Sequence, residues 1–243
     1  MARNPECIDP TEVRYFSQSF RLPLQHYSDL FVPGRERIKG DKSPSYCYVP
    51  AYRIRFIRSI MPSVRLVFMM RNPVERAWSH AVMSLVKHAR RRIEEIPQSR
   101  FYTFFSRHRE WGCYSKVLDR WLRVFRDEQL YISFFDQIVS DPIGLLRNVC
   151  AHVRADTGVE WSQFPYRRVV NAGQGLPIPA EYRTVLEEMY REEIARLDRR
   201  FGGVVSWWRN AAGTAHRFVV AAILLALEFV PDLDLDAWFD ALV

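Results

Sequence analysis

The apolar run Val64 to Met69 passes without a break into Met70-Arg71-Asn72-Pro73-Val74-Glu75-Arg76-Ala77-Trp78-Ser79-His80, and this join limits the fold more than any other stretch. A near-continuous apolar run of this length reads as a strand covered on both faces. Asn72 is suited to cap a helix, and Pro73 fits the first helical position, where its missing N–H costs nothing. Glu75 stands three residues past the cap, as in a capping box. The stretch therefore predicts a buried strand turning directly into a helix that runs past Ser79 toward Lys87. Such a junction aims free backbone N–H groups and the positive end of a helix dipole at whatever lies above the sheet edge, and Arg71 adds a full charge. It is built to hold an anion.

The rest of the chain repeats the alternation. Thr11 to Phe20 reads as a stretch ordered against a core. Gly40 to Tyr46 reads as a loop, because Ser43-Pro44 disfavours helix. A helix is predicted over Pro50 to Ile60. Tyr114, Leu118, Trp121, Leu122 and Phe125 recur at helical spacing and mark an amphipathic helix. Gln129 to Phe135 reads as a second buried strand, and Asp141-Pro142 as the cap and first residue of another helix. Val169 to Pro179 reads as a loop, and Ala180 onward as a long charged helix stopped by Gly202. Strand, helix, strand, helix in this order predicts an α/β fold with a mainly parallel sheet, whose ligands collect at the carboxyl ends of the strands, where Arg71 lies.

Composition narrows the partners less. At 243 residues the chain suits one α/β domain. Its net charge of +7 comes mostly from arginine, whose planar fork suits phosphate and sulfate, but nucleic acid or an anionic membrane surface would suit the same balance. His88 to Arg92 reads as a solvated loop, with contact to an acidic acceptor as the sharper reading. Cys7, Cys47, Cys113 and Cys150 lie far apart without metal-ligand spacing, which predicts no zinc site and free thiols in a reducing compartment. The first residues hold no apolar core, so no cleaved signal peptide is read and the location predicted is cytoplasmic. Phe218 to Pro231 is shorter than the ~20 residues that span a bilayer and carries Glu228; it is read as a buried or interfacial helix, with weak membrane contact as the minor reading.

Three separated pieces belong together: Thr11 to Phe16 (TEVRYF), Gly40 to Tyr46 (GDKSPSY) and Arg71 to His80 (RNPVERAWSH). In this order they resemble the sulfotransferases that use 3'-phosphoadenosine 5'-phosphosulfate, particularly the branch of heparan sulfate sulfotransferases and their bacterial relatives. The Arg71 to His80 piece is similar to that family's 3'-phosphate motif, which implies that Arg71 and Ser79 bind the donor. The Gly40 to Tyr46 piece resembles its Glu-Lys-Ser/Thr-Pro loop, which implies that Lys42 lies near the transferring group. The Thr11 to Phe16 piece implies that Glu12 is the catalytic base. Taken singly, Glu12 and Lys42 are ordinary surface charges, Ser79 a serine bonding back to its own turn, and Arg71 a salt-bridge partner; their combined order is the signal.

The likeness runs from about Pro5 to Trp208, implying a sulfotransferase domain over 1–208 and a hydrophobic helical tail over 209–243. The fold it implies is a three-layer α/β/α arrangement around a mainly parallel sheet, of the P-loop NTPase-like kind. The implied reaction moves a sulfuryl group to a hydroxyl or amine of a small molecule or glycan, with the phosphosulfate donor as co-substrate, no metal and no nucleic-acid partner. The alternatives are a catalytically impaired relative that binds nucleotide or polyanions, and a basic nucleic-acid-binding protein.

One family part has no counterpart. The strand, Gly/Lys/Thr/Ser-rich loop and helix that wrap the 5'-phosphosulfate would precede Glu12, and neither a G-x-x-x-x-G-K-[ST] nor a K-x-G-T-T-like loop occurs in the chain. The expectation is a sheet lacking its first strand and a chain that binds nucleotide weakly and turns over poorly, since one lost oxyanion donor costs ~2.7–4 kcal/mol. A start at an internal methionine is favoured over a true truncated paralogue.

Overall fold

Residues Arg65–Met70 form the strand predicted before the anion motif, and Leu66 to Met70 are each no more than 4% exposed, as a strand covered on both faces requires. The structure, a computed structural model, describes residues 13–32, 38–161, 175–209 and the backbone of 223–227. In chain order its elements are α1 (Leu24–Asp29), β1 (Lys39–Lys42), α2 (Ala51–Ile60), β2 (Arg65–Met70), α3 (Pro73–Ala81), α4 (Gln98–Arg107), α5 (Tyr114–Leu122), β3 (Leu130–Phe134), α6 (Gln137–Ser140), α7 (Pro142–His152), α8 (Ala180–Arg200) and β4 (Ile223–Leu227). They fall into two compact units, residues 71–119 with 171–220 forming the second and the remainder the first.

The first unit holds a sheet of order β1-β4-β2-β3. β2 and β3 are parallel, in register from Leu66 opposite Leu130 to Met70 opposite Phe134. Gln129 helps fix that register: its side-chain amide donates to Pro62 O and Val64 O, both at 3.0 Å, and its Oε1 accepts from Arg58 at 2.8 Å. β4 is antiparallel to both β1 and β2, so β1, β2 and β3 all run the same way. That common direction is the α/β pattern expected of the chain order, with α2 burying Ile54 and Ile57 on the crossover from β1 to β2. The Asp141 cap is as predicted, its Oδ1 accepting from Gly144 N at 2.9 Å at the start of α7.

Three expectations are corrected. Gly40 to Lys42, read as loop, belong to β1, because β4 supplies a backbone partner that local sequence does not announce. Ile223–Leu227, read as part of a helical tail, are strand β4; wedged between two strands, all the ladder positions of an apolar segment find partners without a helix. β3 is only half covered: Leu130 and Ser133 are buried while Tyr131, Ile132 and Phe134 are half-buried, since it is an edge strand of the described sheet. The Val169 to Pro179 loop lies largely outside the described residues.

The second unit is helical. α3 continues through a π-helical stretch, Val82–Lys87, to the end predicted from sequence. Trp78 organises the packing, stacking on Phe101 and Tyr182 with centroids 5.6 and 5.4 Å away and donating from Nε1 to Leu176 O at 2.9 Å. α8 stops where expected. Gly202 takes φ +60°, and Gly203 N reaches back to Asp198 O at 2.9 Å, which closes the helix with a left-handed residue that only glycine adopts cheaply. Among the described residues no helix is long and apolar enough to cross a membrane.

Candidate functional site

Arg71 follows the last residue of β2 and directly precedes the cap of α3. Asn72 Oδ1 accepts from Val74 N at 3.0 Å, as its position predicted, and its Nδ2 donates to Trp208 O at 3.3 Å. Arg71 and Glu75 are 5% and 8% exposed, and Arg71 Nη2 donates to Glu75 Oε2 at 3.3 Å. The carboxylate expected in a capping box thus serves the guanidinium. The i+3 spacing to Asn72 and the i+4 spacing to Arg71 fit one glutamate equally well, and the buried charge is the more demanding partner. Ser79 is half-buried on the last turn of α3. It stands one turn beyond Glu75, so the two share a helix face.

Around this junction the second unit is tightly fixed. Arg76, 3% exposed, lies beside Tyr190, whose hydroxyl donates to Arg109 O at 3.0 Å and whose phenol is pushed above its ordinary range chiefly by burial. A Cβ on Gly112 would come within 2.5 Å of the Tyr190 ring and 3.0 Å of Pro73, so only glycine lets the ring close on the start of α3.

In the first unit Lys42 is the last residue of β1 and half-buried. The adjoining loop is held by Asp41, 1% exposed, which accepts from Ser43 Oγ at 2.8 Å and from Tyr46 Oη at 2.5 Å. Burial raises the Asp41 carboxyl above its ordinary range, and those two hydrogen bonds pull it partly back. The segment after Glu12 is clamped to the same loop: Arg14 N donates to Ser43 Oγ at 2.9 Å, and the Ser17 and Ser45 hydroxyls lie 2.7 Å apart. Phe16, fully buried, meets the Tyr46 ring edge-on at 5.5 Å, and Arg53 Nη1 donates to Phe16 O and Ser17 O at 2.8 and 2.9 Å. Two stretches far apart in sequence are thereby brought together. Glu12 itself lies outside the described residues.

Comparison with known proteins decides the family. The family model described as "Sulfotransferase family" matches residues 3–162, more than half of the chain. The chain belongs to the sulfotransferase family. This sulfotransferase-family chain is 32% identical over 149 residues to mouse heparan sulfate glucosamine 3-O-sulfotransferase 3A1, a match covering 57% of this chain and 36% of that protein. It is 30% identical over 146 residues to human heparan sulfate glucosamine 3-O-sulfotransferase 6, covering 55% and 40%. The chain spans little more than a third of the length of these relatives. Among solved structures it resembles a sulfotransferase from Alicyclobacillus acidocaldarius, with a TM-score of 0.53 and 24% identity over 69% of this chain and 66% of that one, a likeness of fold.

Several residues of the sulfotransferase-family chain escaped the sequence reading. Asp41 sits next to Lys42, and strand alternation could have turned it inward had β1 been recognised. Glu193 of α8, 5% exposed, accepts from both Ser115 N and Ser115 Oγ at 2.7 Å and so caps α5 from another helix. His80 stacks on Trp111 with centroids 4.7 Å apart and meets Phe104 and His108 edge-on at 4.9 and 5.0 Å. The partners of Glu193 and His80 lie far away in sequence, which is why local pattern is silent on them.

Proposed function

We propose that the chain moves a sulfuryl group from 3'-phosphoadenosine 5'-phosphosulfate to a hydroxyl or amine of an acceptor. Arg71 and Ser79 hold the 3'-phosphate, Lys42 offsets charge on the group in flight, and Glu12 takes the acceptor proton. The acceptor oxygen or nitrogen forms a new bond to sulfur as the bond from sulfur to the 5'-phosphate oxygen breaks, releasing adenosine 3',5'-bisphosphate. A carboxylate within ~3 Å of a hydroxyl can take its proton, and a lysine balances an anionic group without metal. The 3'-phosphate does not react; gripping it registers the donor.

The observation that carries this reading is the buried Arg71 set between the end of β2 and the Asn72-capped start of α3. A guanidinium at a helix N-terminus is suited to a phosphate, where charge, fork geometry and dipole agree. The clamp between Val13–Ser17 and Asp41–Tyr46 supports a working association of Glu12 with Lys42. A glycan acceptor is the class we favour, in keeping with the names of the relatives and with the arginine-rich charge of +7. The free thiols of Cys47, Cys113 and Cys150 suit a reducing, cytoplasmic setting.

The test is label transfer from a sulfur-labelled donor to a panel of glycan and small hydroxyl acceptors. Glu12→Gln is expected to bind adenosine 3',5'-bisphosphate like the parent and to lose at least about a hundredfold in turnover, the scale of a removed general base. Unchanged turnover would refute Glu12 as the base.

A further inference from the structure

The anion motif carries its own anion. Glu75 is buried beside Arg71, its carboxylate 3.3 Å from Nη2, so the guanidinium already has a counter-charge before any ligand arrives. Glu75 also stands between the two residues assigned to the phosphate. Arg71, two residues before α3, reaches Glu75 with its guanidinium, and Ser79 stands one turn beyond Glu75 on the same face of α3. A phosphate held by Arg71 would therefore share its guanidinium with the Glu75 carboxylate.

We infer that Glu75 is the counter-ion that a nucleotide 3'-phosphate displaces from Arg71, a positioning residue that holds the guanidinium when the site is empty and weakens the grip on phosphate when it is filled. The inference rests on the assignment of Arg71 and Ser79 to the 3'-phosphate. The effect of Glu75 on Arg71 has two halves. A buried guanidinium left alone is costly, so a partner is needed in the ligand-free chain. Once a dianionic phosphate takes up the same fork, carboxylate and phosphate become like charges about 5 Å apart, which shifts an equilibrium by roughly tenfold even at the dielectric of water. Donor affinity is thus traded for a pre-oriented arginine, and product carrying the same 3'-phosphate leaves more readily.

Glu75→Gln separates the halves, because glutamine keeps an acceptor oxygen for Arg71 and removes the charge. Adenosine 3',5'-bisphosphate and adenosine 5'-monophosphate are titrated calorimetrically into the whole chain and the variant at one ionic strength. The expected result is bisphosphate binding about three- to tenfold tighter in Glu75→Gln, with the monophosphate unchanged within about twofold. A residue that only props the helix would not distinguish ligands differing by the 3'-phosphate. Bisphosphate binding that is unchanged or weaker, or equal tightening of both ligands, overturns the inference while leaving the 3'-phosphate assignment standing. Failure of the parent chain to bind bisphosphate overturns that assignment and the inference together. Thermal melts accompany each titration, and Glu75→Met, uncharged and of similar length, takes the place of glutamine if that variant does not melt cooperatively.

Discussion

At His80 the imidazole is pushed down from its ordinary value to about 3, first by burial and then by the positive charge of Arg76 and the neighbouring His108 and His88. Between that value and an unfolded value near 6.5 the unfolded chain binds the extra proton, so stability falls as pH is lowered through this window. His80→Phe, which keeps a ring against Trp111, is expected to flatten the fall in denaturant midpoint between about pH 6.5 and 4. An unchanged slope would show that His80 is not its source. Asp41 works in the opposite sense: its folded carboxyl is raised, so its contribution is present at low pH and lost as pH rises through the folded value. Asp41→Ala leaves the Tyr46 and Ser43 hydroxyls without their buried acceptor and is expected to cost about 1–3 kcal/mol in chemical denaturation. Faster hydrogen exchange at Arg14 and Tyr46 should accompany that loss. At this scale the sequence spoke plainly about Asn72, whose cap bond reaches only to Val74 two residues on. It was ambiguous about Glu75, where two spacings compete, and silent about Asp41, whose inward turn depends on a strand that only distant pairing creates.

Helix ends account for much of what was legible among the elements. Asn72 caps α3, Asp141 caps α7 and Gly202 ends α8, each by a bond spanning no more than five residues. Asn72→Ala removes the cap and the bond to Trp208 O, and is expected to lower stability by about 1–2 kcal/mol. A melting temperature equal to the parent's would contradict that account. α5 is different, because its first turn is satisfied by Glu193 from α8, and no pattern within α5 could disclose a cap supplied from another element. The same distinction separates the strands. β2 declares itself by an unbroken apolar run, whereas β1 is short and polar and exists as strand through its ladder with β4.

Across the molecule, the parallel sense of β2 and β3 was readable from chain order, and the places of β1 and β4 were not. An apolar segment of this length is compatible with helix or strand, and which forms depends on whether a slot between two strands awaits it. Leu225 pairs across to Asp41 on one side and Leu66 on the other. Leu225→Pro removes a ladder donor in a strand with neighbours on both sides, and hydrogen exchange along β1 and the adjoining β2 is expected to quicken together. Unaltered exchange in both strands would count against β4 as an internal strand. The account's central claim, that the β2–α3 junction of this sulfotransferase-family chain grips a nucleotide 3'-phosphate, is tested most directly by calorimetric titration of adenosine 3',5'-bisphosphate into the parent and Arg71→Ala chains. Saturable binding by the parent, weakened at least about tenfold in Arg71→Ala, is the expected result. Equal binding by the two chains, or none by the parent, would contradict it.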